Sequence, residues 1–309
     1  MREEGPPLQK LIQEHLTDCY PSPYTRETYG QTLAGFCALL RGLGIRTPQA
    51  VKKTHVDAYG ATLDGLAAAT VVSRLHRVKR FFDWLLKKGI LLTSPCDHLR
   101  LHKPRPPFID PLTEDEVSRL LNAPDTATIL GLRDRSMLET LYATGMRAGE
   151  LLRLELADVD LAAETCFIRK GKGGHCRWVP LTEASAAFIQ AYLDKARPAL
   201  AQKTGVRGQG SGDRGTTTSF LFVSYQGGQI SRQHLGVLCR HYAKKAGLEK
   251  KVWPHLLRHT AASHLLLNGA PFFHVQLLLG HAKAETTQGY THINFRHLQE
   301  THARCHPRN

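Results

Sequence analysis

Five short polar settings stand out along the chain. They are Ala143-Thr144-Gly145-Met146-Arg147-Ala148-Gly149-Glu150-Leu151-Leu152, Gly171-Lys172-Gly173, Pro254-His255-Leu256-Leu257-Arg258-His259-Thr260, Leu278-Leu279-Gly280-His281 and Thr286-Thr287-Gln288-Gly289-Tyr290-Thr291-His292. Guanidinium groups match anionic oxygens in a bidentate way and stay charged. Imidazoles exchange protons near neutral pH. A phenol, with a pKa near ~10, is a poor nucleophile until positive charge or a base assists it. Taken singly, each residue also has an ordinary explanation. Tyr290 fits a buried amphipathic tyrosine, Arg147 a helix-end charge and Glu150 a partner for an arginine, while Lys170 stands two residues from Lys172. His255, His259 and His264 share helical spacing, but no carboxylate or cysteine cluster joins them, so no metal site is expected. His297, His302, Cys305 and His306 fit a solvated or interface helix better than a metal site.

As an ordered set, the five settings resemble the tyrosine recombinases (integrases), above all the Xer-type and transposon-borne bacterial members. The resemblance is strong from about 111 to 298 and looser toward the N-terminus. It implies that Tyr290 is the nucleophile on a scissile phosphodiester and that Arg147 and Arg258 grip its non-bridging oxygens. His255 and His281 would add hydrogen bonds and handle protons, Lys172 would protonate the departing 5′ oxygen, and Glu150 would orient the pocket. The implied activity is site-specific recombination through a 3′-phosphotyrosine and a Holliday junction. The covalent link conserves the energy of the broken bond, so neither ATP nor another cofactor is called for, and the arginines take the charge role of a metal.

The implied partners are double-stranded DNA sites and further copies of the chain in a synaptic tetramer. In that assembly a C-terminal helix, from about Asn294 to Arg304, would meet a neighbouring subunit through Phe295 and Leu298. A partner recombinase or accessory protein, the DNA sequence and the biological setting stay open. Two other readings stand beside this one: a type IB topoisomerase-like swivel enzyme, and a DNA-binding protein without catalysis. Gly149 replaces the small polar residue usual in the family. Gly289 replaces the apolar residue usual before the tyrosine and adds backbone freedom, so the Tyr290 segment is expected to be mobile. Pro271-Phe272-Phe273-His274 departs from the usual polar helix start.

The elements that must carry these residues can be read from pattern. The chain has 309 residues and a formal charge of +14, which points to a polyanion. The excess is spread, +6 over residues 1–110 and +8 over 111–309. Pro104, Pro106 and Pro107 forbid a helix and mark a linker at 103–110. It separates a helical N-terminal DNA-binding domain (core-binding, SAM-like), 1–102, from a catalytic domain, 111–309. The expected fold is mainly α with a small antiparallel β-sheet, two lobes of a DNA clamp.

Ser22-Pro23-Tyr24-Thr25 opens one helix, running through Tyr29, Leu33, Phe36 and Leu40. Thr70 caps another. Its apolar stripe is Val71, Leu75, Val78, Phe82 and Leu85, with His76, Arg77, Arg80, Lys87 and Lys88 opposite. Arg77, Arg80, Lys87, Lys103 and Arg105 are the candidate DNA contacts.

Thr113-Glu114-Asp115-Glu116 is a capping box. A helix from about Leu130 stops at Gly145, and another starts near Ala148. Cys166–Arg169 and Arg177–Pro180 read as a hairpin around Lys170–Gly174. Residues 202–219 read as a flexible loop, and helices resume at Ser231. The odd, scattered set of seven cysteines reads as reduced thiols. With no signal-peptide plan at Met1–Pro7 and no apolar run near ~18 residues, a cytoplasmic protein without membrane contact is expected.

Overall fold

Helix signals at Pro23 and near Thr70 mark two long helices in the N-terminal part of the chain. The computed structural model describes residues 7–102, 109–169, 176–202, 219–280 and 292–308, with side chains of the last stretch from His297 onward. The chain divides into two compact units, 1–108 and 109–309.

The first unit holds α1 (Leu8–Cys19), α2 (Pro23–Gly42), α3 (Lys53–Ala61) and α4 (Ala68–Lys87). Pro23 opens α2, where its missing N–H costs nothing. Leu33, Phe36, Leu40, Val78, Phe82 and Leu85 are fully buried in one core. Phe36 meets Phe82 edge-on at 6.0 Å and Tyr59 of α3 at 5.2 Å.

Two expectations about α4 need correction. Its start is Ala68, after Ala67, and Thr70 lies within the first turn with its N–H on Ala67 O at 2.7 Å. Two alanines, Ala68 and Ala69, the strongest helix formers, extend the helix ahead of the threonine. Arg77, expected on the outer face, turns back to α2. Its Nη1 donates to Thr32 Oγ1 at 2.8 Å and to Thr28 O at 3.3 Å, and its guanidinium lies 5.4 Å over the Tyr29 ring. A long side chain reaches across a helix shoulder that the helical arc alone assigns to solvent. Arg80 and Lys87 are exposed as expected.

The second unit is organised around α6 (Ile129–Thr144), every residue of which from Gly131 to Thr144 is buried. It is preceded by α5 (Glu114–Asn122), closed by the expected box: Thr113 Oγ1 accepts from Glu116 N at 3.1 Å, and Thr113 N donates to Glu116 Oε2 at 2.7 Å. Gly145 stops α6 at φ 58°, a left-handed turn that glycine adopts without strain. Next come α7 (Ala148–Leu151) and a three-stranded antiparallel sheet, β1 (Val159–Asp160), β2 (Thr165–Ile168) and β3 (Arg177–Pro180), in that order. Cys166 faces Val179 and Ile168 faces Arg177 across the hairpin. β1 has only two residues, too few to show an alternating pattern. The hairpin tip at 170–175, the Gly-rich stretch 203–218, the Pro-rich strap 103–108 and the expected mobile segment around Tyr290 lie outside the described residues.

Helices α8 (Glu183–Lys195), α9 (Arg197–Ala201), α10 (Arg232–Lys245), α11 (Pro254–Leu267), α12 (Phe272–Leu279) and α13 (His292–Cys305) complete the unit. Ser231 caps α10, its Oγ accepting from His234 N at 3.1 Å. The end of α13 departs from the expected solvated or interface helix. Leu298, Thr301, His302, Cys305 and His306 are all buried in their own chain. His302 Nε2 donates to Ala143 O at 2.7 Å and His306 Nε2 to Tyr142 O at 3.2 Å. Arg308 Nη2 donates to Glu139 Oε1 at 2.6 Å.

Burial lowers the His302 pKa to about 4, and burial with the neighbouring His302 ring drives His306 well below the ordinary value. An unfolded chain therefore takes up protons that the folded tail refuses. The stability present above pH 6.5 is lost as the pH falls toward 4, by about 3 kcal/mol for His302. The melting midpoint is expected to drop steeply over that window, and His302→Gln to flatten the slope. An unchanged slope in the variant would remove His302 from this account.

Candidate active site

Arg147 sits where the left-handed turn at Gly145 feeds into α7. Its N–H donates to Glu150 Oε2 at 2.8 Å, and its Nη1 to Glu150 Oε1 at 2.9 Å. The Arg-x-x-Glu spacing thus lets the Glu150 carboxylate accept from both the backbone and the side chain of Arg147 within one helical turn. The Arg147 side chain is 26% exposed and Glu150 only 2%, so the arginine can meet a ligand while the carboxylate stays inside.

A buried carboxylate needs compensation, and a second arginine supplies it. Arg177 donates Nη2 to Glu150 Oε2 at 3.0 Å and Nη1 to Oε1 at 3.2 Å. Burial alone would raise the Glu150 pKa. The Arg177 fork, with the Arg147 bonds behind it, holds the carboxyl below its usual range. Sequence reasoning passed over Arg177. Its signal was the strand alternation: Arg177 shares a face of β3 with buried Val179, and an inward charge needs an opposite partner.

His255 and Arg258 are three apart on α11 and so share a face. Arg258 is 3% exposed. Its Nη1 donates to Gly145 O and its Nη2 to Leu279 O, both at 2.7 Å. This one side chain joins the turn before Arg147 to the end of α12. Burial, then the Arg147 charge, pulls its pKa down to about 10, still far above neutrality. His255, at the mouth of the cluster, is held below the ordinary imidazole range by partial burial first, then by Arg258 and Arg147.

The structure therefore brings together Arg147, Glu150, His255 and Arg258. Lys172, His281 and Tyr290 lie outside the described residues, as do Lys103 and Arg105. The described elements nevertheless lead to them: β2 and β3 stand on either side of the stretch 170–175 that holds Lys172, and α12 ends two residues before His281, with Gly280 at φ 66° as its cap. His264 is no ligand candidate. It is buried between the Tyr142 hydroxyl at 2.7 Å and Leu112 O at 2.8 Å.

A Cβ at Gly149 would stand 2.5 Å from Nη2 of the exposed Arg232, so a side chain there would require that guanidinium to shift. Three arginines around a single buried carboxylate make a positive, partly dehydrated centre. Such a centre repels metal cations and suits an oxyanion.

Residues 111–297 match the model of the phage integrase family, and residues 11–89 that of the phage integrase N-terminal SAM-like domain. The tyrosine recombinase XerD of Pseudomonas aeruginosa is 37% identical, across 92% of this chain and 91% of its own. XerD of Ralstonia nicotianae is 35% identical, across 92% of this chain and 88% of its own. Among solved structures, a lambda integrase dimer bound to a COC′ core site shares the fold at a TM-score of 0.67 and 17% identity, covering 93% of this chain and 98% of that one. The chain belongs to the phage integrase family, the tyrosine recombinases, enzymes that break and rejoin DNA strands in site-specific recombination. Neither the topoisomerase-like reading nor the non-catalytic one finds support among these relatives.

Proposed function

We propose that Arg147 and Arg258 grip the two non-bridging oxygens of a scissile phosphodiester, while Tyr290 attacks the phosphorus. The Tyr290 oxygen–phosphorus bond forms, its phenolic proton passing to one of the two site imidazoles, His255 or His281, as the bond to the 5′ oxygen breaks. Lys172 gives its proton to that oxygen, and the phosphotyrosine stays on the 3′ side. A 5′-hydroxyl from a second duplex then reverses the step, so strands exchange through a Holliday junction without ATP or metal. His255 and His281 add hydrogen bonds to the same phosphate, and Glu150 keeps Arg147 in place. The observation that carries this reading is the pairing of Arg147 and Arg258 around Gly145, aimed by buried bonds before any ligand arrives. Preorganised charge of this kind is often the largest catalytic contribution.

The substrate is double-stranded DNA, held by the exposed Arg80 and Lys87 of the 1–102 domain, by Lys103 and Arg105 of the 103–110 linker and by the 111–309 catalytic domain. Arg77 supports that surface by fixing α4 to α2. A lambda integrase tetramer bound to a Holliday junction shares this fold, which supports a tetramer here. In it α13 would meet a neighbour through its outward residues His297, Glu300 and Arg304, because Leu298 is occupied in its own chain. No helix among the described residues is long and apolar enough to cross a membrane, consistent with work in the cytoplasm.

A nicked duplex that loses its 5′ fragment on cleavage tests the reading. The wild-type chain is expected to accumulate a covalent protein–DNA adduct, and Tyr290→Phe to form none while binding the same duplex. An adduct in the variant, or none in the wild type, would overturn the assignment.

A further inference from the structure

We infer that Arg177 is a positioning residue for the cleavage step, tying the carboxylate that aims Arg147 to the segment that leads into His281. The inference rests on the recombinase reading of the site above.

Three contacts of one guanidinium carry it. The first is the fork on Glu150, with Nη2 and Nη1 at 3.0 and 3.2 Å from its two oxygens. The second is Nε, which donates to Leu278 O at 3.0 Å. The third is contact with Gly280, where a Cβ would stand 2.8 Å from Arg177 Nη1 and 3.0 Å from Cζ. The guanidinium thus lies against the backbone at Gly280, and the left-handed φ of 66° there both favours glycine and keeps that approach open. Arg177 also opens β3 and pairs with Ile168 across the hairpin. One side chain therefore reaches the support of Arg147, the residues just before His281 and a strand flanking the Lys172 turn. Arg258 holds the adjacent carbonyl, Leu279 O, so two arginines fix consecutive carbonyls at the end of α12.

The charge argument gives the consequence. Glu150 divides its negative charge between Arg147 and Arg177. Without Arg177, the carboxylate acts on Arg147 alone and draws that guanidinium from the phosphate. At the same time the end of α12 loses a donor. Lysine cannot restore this, because a point charge cannot make a fork and a third bond at once. The side chain is 13% exposed, so its removal should leave the duplex-binding surface largely intact. The charged groups facing Glu150 are Arg147 on its own turn, Arg177 on β3 and Arg258 on α11. Loss of Arg177 removes the strongest influence that keeps Glu150 ionised, so the acid limb of the rate profile should move to higher pH.

The experiment measures single-turnover adduct formation on the nicked duplex from pH 5 to 8, together with duplex affinity and melting, for the full chain and for R177K, R177M and R177M/E150Q. For both single variants we expect a rate at least tenfold lower, which is ~1.4 kcal/mol, and affinity within twofold of wild type. The acid limb should rise in R177M and be absent when Glu150 is also replaced. A merely structural role would reduce the folded fraction without moving that limb. The inference is overturned by a wild-type rate in R177K, by rate and affinity falling together, by a lower rate with an unmoved acid limb, or by loss of cooperative melting in both single variants. If the wild type itself forms no adduct, the recombinase reading fails and this inference falls with it. If the wild type forms adduct and R177K matches it, only the inference fails.

Discussion

Arg258→Ala is expected to remove nearly all adduct formation and to soften the catalytic unit at the same time. Loss of one preorganised donor typically lowers a rate on the order of 10²–10³, and Arg258 is buried where low polarizability magnifies its charge. The same substitution strips the donors from Gly145 O and Leu279 O. Each carbonyl left without a partner costs about 1–3 kcal/mol, which for a unit of this size lowers the melting midpoint by roughly 4–24 °C for the pair. Arg147→Ala separates the two effects. Arg147 is half-buried and Glu150 keeps its Arg177 fork, so the rate should fall as far while the melting point changes little. Adduct kinetics and thermal unfolding of the two variants side by side check this. Equal melting losses, or a near-wild-type rate in either variant, would show that the roles are misassigned.

What the sequence made legible was local. Thr113 to Glu116, the stop at Gly145 and the proline at 23 act on chain neighbours within four residues, and each does what its spacing implies. The cluster of Arg147, Glu150, His255 and Arg258 was legible for another reason: its types and order resemble a family whose chemistry needs them. Arg177 was missed because its partners lie 27 residues back and 101 residues ahead, and no local pattern signals a pairing at that range. Arg77 was misplaced because helical arc locates a Cα, whereas a guanidinium reaches several ångströms beyond it to Thr32. The extra residues at the start of α4 show alanine propensity overriding a threonine cap signal. The tail was misjudged for a similar reason. Histidines at 302 and 306 read as polar, but an imidazole that donates one N–H to a carbonyl can be buried without leaving its donor unsatisfied.

That burial changes what loss of the C-terminus should do. If α13 touched only a neighbouring subunit, removing residues 294–309 would spare the fold and single-site DNA binding and damage only assembly. In this chain the removal takes Leu298 and Cys305 out of the unit's own core. It also uncovers Ala143 O and Tyr142 O, which lie on the helix at the centre of the unit. Glu139, 1% exposed, keeps Arg135 and loses Arg308, and a buried carboxylate with less compensation is strongly unfavourable. Two apolar side chains at about 1.5–3 kcal/mol each, together with the uncovered carbonyls, make a loss on the order of 5 kcal/mol. That is comparable to the whole stability of many domains. Because the Arg147 turn follows directly from α6, the site should degrade with its support. The truncated chain is therefore expected to melt broadly or at a much lower temperature, and to lose adduct formation even on a single DNA site. A truncated chain that melts like the full one and still forms adduct on a single site would return α13 to a purely intersubunit role.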